Sequence, residues 1–279
     1  MNAAREHRIT AWDGLVLHAT SWGGETAAAP LFCLPGLVRT GGDFARLAAA
    51  YAGGRRVVTL DYAGRGRSGR AGRVARYAPE ATLRDILDVA AALSLDRAVV
   101  VGTSFGGLMA MAIAAARPGL LGGVVLNDIG PEIGAGGAAL VRRFVADDPA
   151  LADLAAAARH LRRLLPDLSL TDDDDWLEFA RLTYVEGSDR RWHPGWDRRI
   201  AALLGDPPRD LWPLFDALEG VPLLLVHGGA STLLLAPTVA AMRARRPDMA
   251  VATVAGVGHA PTLAEPAAAV ALARFLAAA

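Results

Sequence analysis

The chain has 279 residues, with 29 basic and 29 acidic side chains and a formal net charge of zero. No basic stripe suits it to nucleic acid, no polybasic face suits it to a membrane surface, and its length is ample for one large domain with a sizeable core. The lone cysteine, Cys33, excludes a disulfide within the chain and, inside an apolar run, reads as buried filler rather than a reactive thiol.

The elements alternate in the way that builds a mostly parallel sheet. Residues 1–8 contain no apolar stretch, so a signal peptide is not expected, and no apolar run reaches membrane-spanning length. A soluble, cytoplasmic protein is expected. A hairpin is predicted over residues 8–11 and 15–21, turning at Asp13-Gly14. Further strands are predicted at 31–34, 56–61, 98–102, 123–128, 222–227 and 250–254, with helices between them at 79–92 and 238–246 and a terminal one at 266–279. The alternation lapses over 131–213, where the pattern turns helix-rich at 150–165 and 176–184.

The most informative stretch is Gly102-Thr103-Ser104-Phe105-Gly106, a G-x-S-x-G that follows the apolar run Ala98–Val101 and opens a helical pattern. A strand–turn–helix context is what a nucleophile elbow requires. A serine on so sharp a turn is strained, and glycines two positions away leave room for the neighbouring strand and helix. The N–H of Phe105 then points at the space where the Ser104 hydroxyl is presented. The competing interpretation is a small-residue turn with a chance serine. A serine nucleophile needs a base, and His259 follows the strand at 250–254 on a Gly-rich loop, in the chain order Ser then His. The other five histidines mostly read as solvated loop residues.

With these residues in view, the chain resembles the α/β-hydrolase family almost from end to end. Leu34-Pro35-Gly36-Leu37 is similar to the family's oxyanion-hole turn, with Pro35 where histidine is common. Asp61-Tyr62-Ala63-Gly64-Arg65-Gly66-Arg67-Ser68 is similar to its D-x-x-G-x-G-x-S loop, and Val125–Pro131 and Gly258–Leu263 resemble a bacterial branch of hydrolases. The resemblance implies an eight-stranded, mostly parallel sheet flanked by helices. It also implies a core of residues 1–130 and 214–279, a helical cap at 131–213, and oxyanion donors at Leu37 and Phe105.

One position departs from the family pattern. Its catalytic acid normally follows the seventh strand, and Thr232 stands there. Threonine can accept a hydrogen bond from an imidazole but cannot offset an imidazolium, and breaking that partnership costs about four orders of magnitude in turnover. Asp128, at the end of the strand after the nucleophile strand, is the candidate substitute. The alternative is that it only caps the loop leading to Gly130-Pro131.

Gly64–Gly69 satisfies G-x-G-x-x-G, yet no helix opens behind it, so dinucleotide binding is not expected. Asp172–Asp175 reads as an acidic helix start rather than a metal site. The aromatics of the helix-rich segment are expected to be mostly core, with Trp176, Phe179, Trp192 and Trp196 as candidates to line an acyl pocket.

The expected function is hydrolysis of an ester, or of a lactone or thioester, of a small to medium apolar acid through a Ser104–His259–Asp128 triad. No metal or organic cofactor is expected. The partner is a small-molecule substrate, and a homodimer is left open. Two rival classes keep the fold: C–C bond hydrolysis, a lyase reaction or cofactor-free oxidation on the same site, and a non-catalytic binding protein that lacks the acid.

Overall fold

The computed structural model describes residues 4–204 and 210–278; residues 205–209 of the expected cap lie outside them. An antiparallel hairpin opens the chain, β1 (Arg5–Thr10) against β2 (Val16–Trp22), in register from Arg5↔Ser21 to Thr10↔Val16. Its turn places Gly14 at φ 86°, where a side chain would be strained. β1 starts earlier than the hydrophobic pattern suggests, because ladder pairing rather than burial holds its polar first residues.

Strands and helices then alternate: β3 (Leu31–Leu34), α1 (Ala45–Tyr51), β4 (Val57–Asp61), α2 (Pro79–Ala92), β5 (Ala98–Thr103), α3 (Phe105–Ala116) and β6 (Leu121–Asn127). The segment that follows supplies α4 (Ala135–Ala146), α5 (Leu154–Leu164), α6 (Asp173–Thr183) and a small antiparallel ribbon, β7 (Tyr184–Glu186) with β8 (Trp192–Pro194). The chain returns to the sheet through α7 (Trp212–Asp216), β9 (Leu223–Gly228), α8 (Ala236–Arg245), β10 (Ala250–Val254) and α9 (Pro266–Ala278).

The eight-stranded sheet runs β1-β2-β4-β3-β5-β6-β9-β10, with every pairing from β4 to β10 parallel. Its central strands are apolar without interruption because helices cover both faces. Alternate residues divide between two cores: Phe32, Leu34, Val100 and Leu126 pack toward α2 and α3, whereas Leu31, Cys33, Val99, Val101 and Val125 pack toward α1 and α9. Complete burial pushes the Cys33 thiol far above its ordinary range, in keeping with an inert filler.

The parallel register does the positioning. Leu34 pairs with Gly102, Thr103 with Asn127, and Asn127 with Val226, so β3, β5, β6 and β9 end together at one carboxyl edge. Above that edge the segment between β6 and β9 has its own small core of Ala157, Ala158, Leu161, Trp176, Ala180 and Tyr184. Among the described residues no helix is long and apolar enough to cross a membrane.

Candidate active site

Ser104 follows β5 directly and takes φ 53° and ψ −117°, a conformation that L-residues rarely adopt. The flanking glycines permit it. A Cβ on Gly102 would lie 2.5 Å from the Gly106 backbone, and one on Gly106 would lie 2.0 Å from the Leu34 carbonyl oxygen. Backbone hydrogen bonds hold the turn, the Ser104 N–H donating to the Asn127 carbonyl at 3.0 Å and Gly107 N–H donating to the Ser104 carbonyl at 2.8 Å.

The Ser104 hydroxyl lies 2.8 Å from His259 Nε2, and His259 Nδ1 lies 2.8 Å from Asp128 Oδ2. An ionised carboxylate only accepts, so Nδ1 carries the imidazole proton and Nε2 is free to accept from the serine. Asp128 is fully buried, sits one residue past β6 at φ 54°, and takes a second hydrogen bond at 2.8 Å from the Gly228 N–H at the end of β9. The strand that usually carries the acid therefore contributes a backbone donor to a carboxylate on its neighbour. Thr232 lies on the wall of the adjacent cavity, and its carbonyl accepts from the Gly137 N–H at 3.1 Å.

Asn127 ties the three loops together. Its carbonyl accepts from Ser104, it directly precedes Asp128, and its Nδ2 donates at 2.8 Å to the carbonyl of Pro261, two residues past His259. Nothing in the sequence alone marks it, since a strand-end asparagine is an ordinary turn residue.

Leu37 lies on the wall of the same cavity as Ser104, and Phe105 directly follows Ser104. Among the described residues neither N–H is taken by another protein group, and the Phe105 N–H is the first of α3, with no partner inside its own helix. Both can therefore serve an oxygen that develops charge beside Ser104.

A cavity of about 270 Å³ opens over Ser104 and His259. Its walls are mostly apolar, with Leu140, Val141, Phe144 and Val145 from α4, Leu165, Leu168 and Leu170 from the loop after α5, and Phe179 and Leu182 from α6. Of the four aromatic candidates, Phe179 lines it. Trp176 belongs to the small core of the segment, edge-on to Phe179 at 6.2 Å. Trp196 stands behind Phe144 at 5.3 Å and donates its indole N–H to the Val145 carbonyl. Trp192 packs on that same small core and bridges to Leu151. Helical period is the cause: 175, 178, 179 and 182 form the cavity face of α6, while 176 and 180 pack into the small core.

The other sequence features settle as structure. Asp172 is the N-cap of α6, its side chain accepting from the Asp175 N–H at 2.8 Å. The Gly64–Gly69 loop is followed by a 3-10 turn at Val74–Tyr77, and α2 opens only at Pro79.

Residues 29–260 match the model of the family described as alpha/beta hydrolase fold. A 3-hydroxybutyrate-oligomer hydrolase from Cupriavidus necator is 32% identical over 257 residues, covering 88% of this chain and 87% of that protein. An α/β hydrolase from Novosphingobium aromaticivorans, of known crystal structure, is 37% identical with a TM-score of 0.93, both chains being covered entirely. E-2-(acetamidomethylene)succinate hydrolase, at 23% identity, a TM-score of 0.82 and 98% coverage of each chain, shares the fold. With a family match over most of its length and hydrolases among its relatives, this chain belongs to the α/β-hydrolase family.

Proposed function

We propose that the protein is a serine esterase acting on esters of small to medium apolar acids through an acyl-enzyme. The observation that carries this reading is the unbroken chain of contacts from Ser104 through His259 to Asp128 at the floor of an apolar cavity. In the first half-reaction Ser104 Oγ attacks the ester carbonyl while its proton passes to His259 Nε2, and the imidazolium hands that proton to the departing alkoxide. Asp128 fixes the tautomer and offsets the imidazolium charge. Water repeats the sequence on the acyl-enzyme, releasing the acid and restoring Ser104. The N–H groups of Leu37 and Phe105 stabilise the oxyanion in both halves; one such donor is worth about 100- to 1000-fold in turnover.

The inserted segment, read as a cap, supplies the acyl-binding wall. A cavity of about 150 Å³ holds one benzene ring, so 270 Å³ suits an acyl group somewhat under twice that size. Contact between Asp128 and His259 favours the acid-bearing reading over a binding protein that lacks the acid. Similarity to a 3-hydroxybutyrate-oligomer hydrolase makes oligomers of 3-hydroxybutyrate, beside p-nitrophenyl acyl esters, the first substrates to try. The test is turnover of both by the wild-type protein and by Ser104→Ala. Ester hydrolysis by the wild type that disappears in a folded Ser104→Ala supports the proposal, and undiminished hydrolysis by that variant contradicts it.

A further inference from the structure

Arg65 is 1% exposed, yet it makes no ion pair among the described residues. Its Nε donates at 2.8 Å to the carbonyl of Leu37 and its Nη1 at 2.7 Å to the carbonyl of Ala63, while Nη2 has no partner. The guanidinium lies near the rings of Tyr62 and Tyr77, at 5.8 and 5.7 Å from their centroids. Burial draws it down to about 10, so it remains charged at neutral pH. A buried cation without a carboxylate partner is costly, and an apolar side chain of similar length would fill the space at lower cost. What only the guanidinium supplies is direction, and that direction runs to the oxyanion turn.

Tyr62 points the same way. It is fully buried, its hydroxyl donates at 3.1 Å to the carbonyl of Pro35, and its ring meets that of Phe105 edge-on at 5.7 Å. Between these two pinned carbonyls lies the peptide joining Gly36 to Leu37. Its carbonyl accepts from the Arg39 N–H at 3.1 Å. In a trans peptide the N–H points opposite to the C=O, so the Leu37 N–H is turned away from Arg39. The carbonyls of Pro35, Gly36 and Leu37 are thus each held by a donor, and the peptide that offers the Leu37 N–H can neither flip nor tilt without breaking a buried hydrogen bond.

We propose that Tyr62 and Arg65 are positioning residues for the oxyanion hole: Tyr62 holds the peptide before, and Arg65 the peptide after, the one whose N–H from Leu37 faces the cavity. Neither touches substrate. The inference rests on the esterase reading given above and extends it to two residues of the loop after β4. A preorganised donor acts on the charge that develops in the transition state, so loosening it lowers kcat and leaves ground-state binding alone.

The experiment compares the full-length wild type with Tyr62→Phe, which removes one hydroxyl, and with Arg65→Met, which removes the guanidinium at similar length. Four quantities are read with active-site concentration normalised by fluorophosphonate titration. They are kcat and KM for a p-nitrophenyl ester, inhibition by an alkyl trifluoromethyl ketone whose hemiketal oxygen occupies the oxyanion hole, and inhibition by the matching straight-chain alcohol. Partial loss of one donor's effect lowers kcat by about tenfold in either variant, with KM and alcohol inhibition changed by less than about twofold. Trifluoromethyl ketone inhibition weakens in step with kcat.

If folded Tyr62→Phe keeps wild-type kcat and ketone inhibition, or if KM and alcohol inhibition change as much as kcat, the proposal is overturned. Should Arg65→Met not fold, Tyr62→Phe decides alone. A wild type that neither turns over esters nor binds the ketone overturns the esterase reading itself, and this inference with it.

Discussion

Ser104 and Asp128 each sit one residue past a parallel strand and each takes a positive φ, 53° and 54°, whereas the cavity-wall residues of α6 and of the loop before it belong to a segment with a small core of its own. At the sheet edge, backbone geometry sets position: strand register, two glycines without room for a Cβ, a hydrogen bond donated by the Gly228 N–H and one accepted by the Asn127 carbonyl. Over the cavity, side chains set position, and polar ties join the helical segment to the sheet. Gly258 N–H donates to the Asp167 carbonyl at 2.7 Å, Tyr77 hydroxyl to Asp197 at 2.6 Å, and Arg39 to Thr183. A strand-edge site tolerates little displacement of its reacting groups, while an apolar wall tolerates substitution if volume is kept. The chemistry should therefore depend on the sheet edge, and the choice of substrate on the helices.

The sharpest way to break that division is at Asp128. Asp128→Asn should lower kcat by about four orders of magnitude, because the amide cannot offset the imidazolium. Thr232→Ala should cost far less, and Thr232→Asp should bring no gain while Asp128 is present. Steady-state turnover of the three variants checks this. A sharp gain from Thr232→Asp, with Asp128→Asn nearly silent, would return the acid to the strand that usually bears it.

Next comes the small core. Trp176 is 3% exposed, and Trp176→Ala should destabilise the helical segment by about 3–5 kcal/mol, the usual cost of removing a buried indole. Urea unfolding measures the loss. Fluorophosphonate labelling of Ser104 under native conditions should persist, since Ser104, Asp128 and His259 are not members of that core; loss of labelling would show the two regions to be one unit.

A smaller effect tests the wall. Leu140→Trp fills part of the cavity and should raise KM for an octanoyl ester about tenfold relative to an acetyl ester, on the scale by which pockets discriminate methylenes. Unchanged chain-length preference would place the acyl group elsewhere.

The smallest effect concerns pH. His193 on β8 lies 2.9 Å from Asp148, and that hydrogen bond, followed by the one to Asp189, raises it above its ordinary value. A raised histidine stabilises the fold below the unfolded value of about 6.5, and the contribution fades as pH climbs through the folded value. The melting temperature of the wild type should thus exceed that of His193→Gln more at pH 5.5 than at pH 8.5. An equal gap at both would remove His193 from the stability of the ribbon.

Legibility in the sequence followed the same division. The elbow could be read because Gly102 and Gly106 are demanded sterically, and the central strands because burial on both faces makes them continuously apolar. Asp128 could be located but not assigned, since an aspartate at a strand end is also a common turn residue. Its partnership with His259 depends on β9 lying beside β6, a tertiary fact. The β7–β8 ribbon was illegible because three-residue strands are too short to show a period. That the aromatics of the helix-rich segment are mostly core is legible, but which of the four candidates lines the pocket is not: Phe179 does, Trp176, Trp192 and Trp196 pack away from it, and aliphatic residues of α4 and the α5–α6 loop take the rest of the wall. The α6 face at 175, 178, 179 and 182 was readable in principle, by asking which side of the helix Trp176 leaves free.

The central claim is that the Ser104 hydroxyl is activated by His259 and Asp128. Peptide mapping by mass spectrometry after treatment with a fluorophosphonate, run in parallel on the wild type, Asp128→Asn and His259→Ala, tests it most directly. The expected result is one adduct, on Ser104, formed rapidly in the wild type, much more slowly in Asp128→Asn and not detectably in His259→Ala. An adduct on another residue, or equal labelling rates in all three proteins, would contradict the claim.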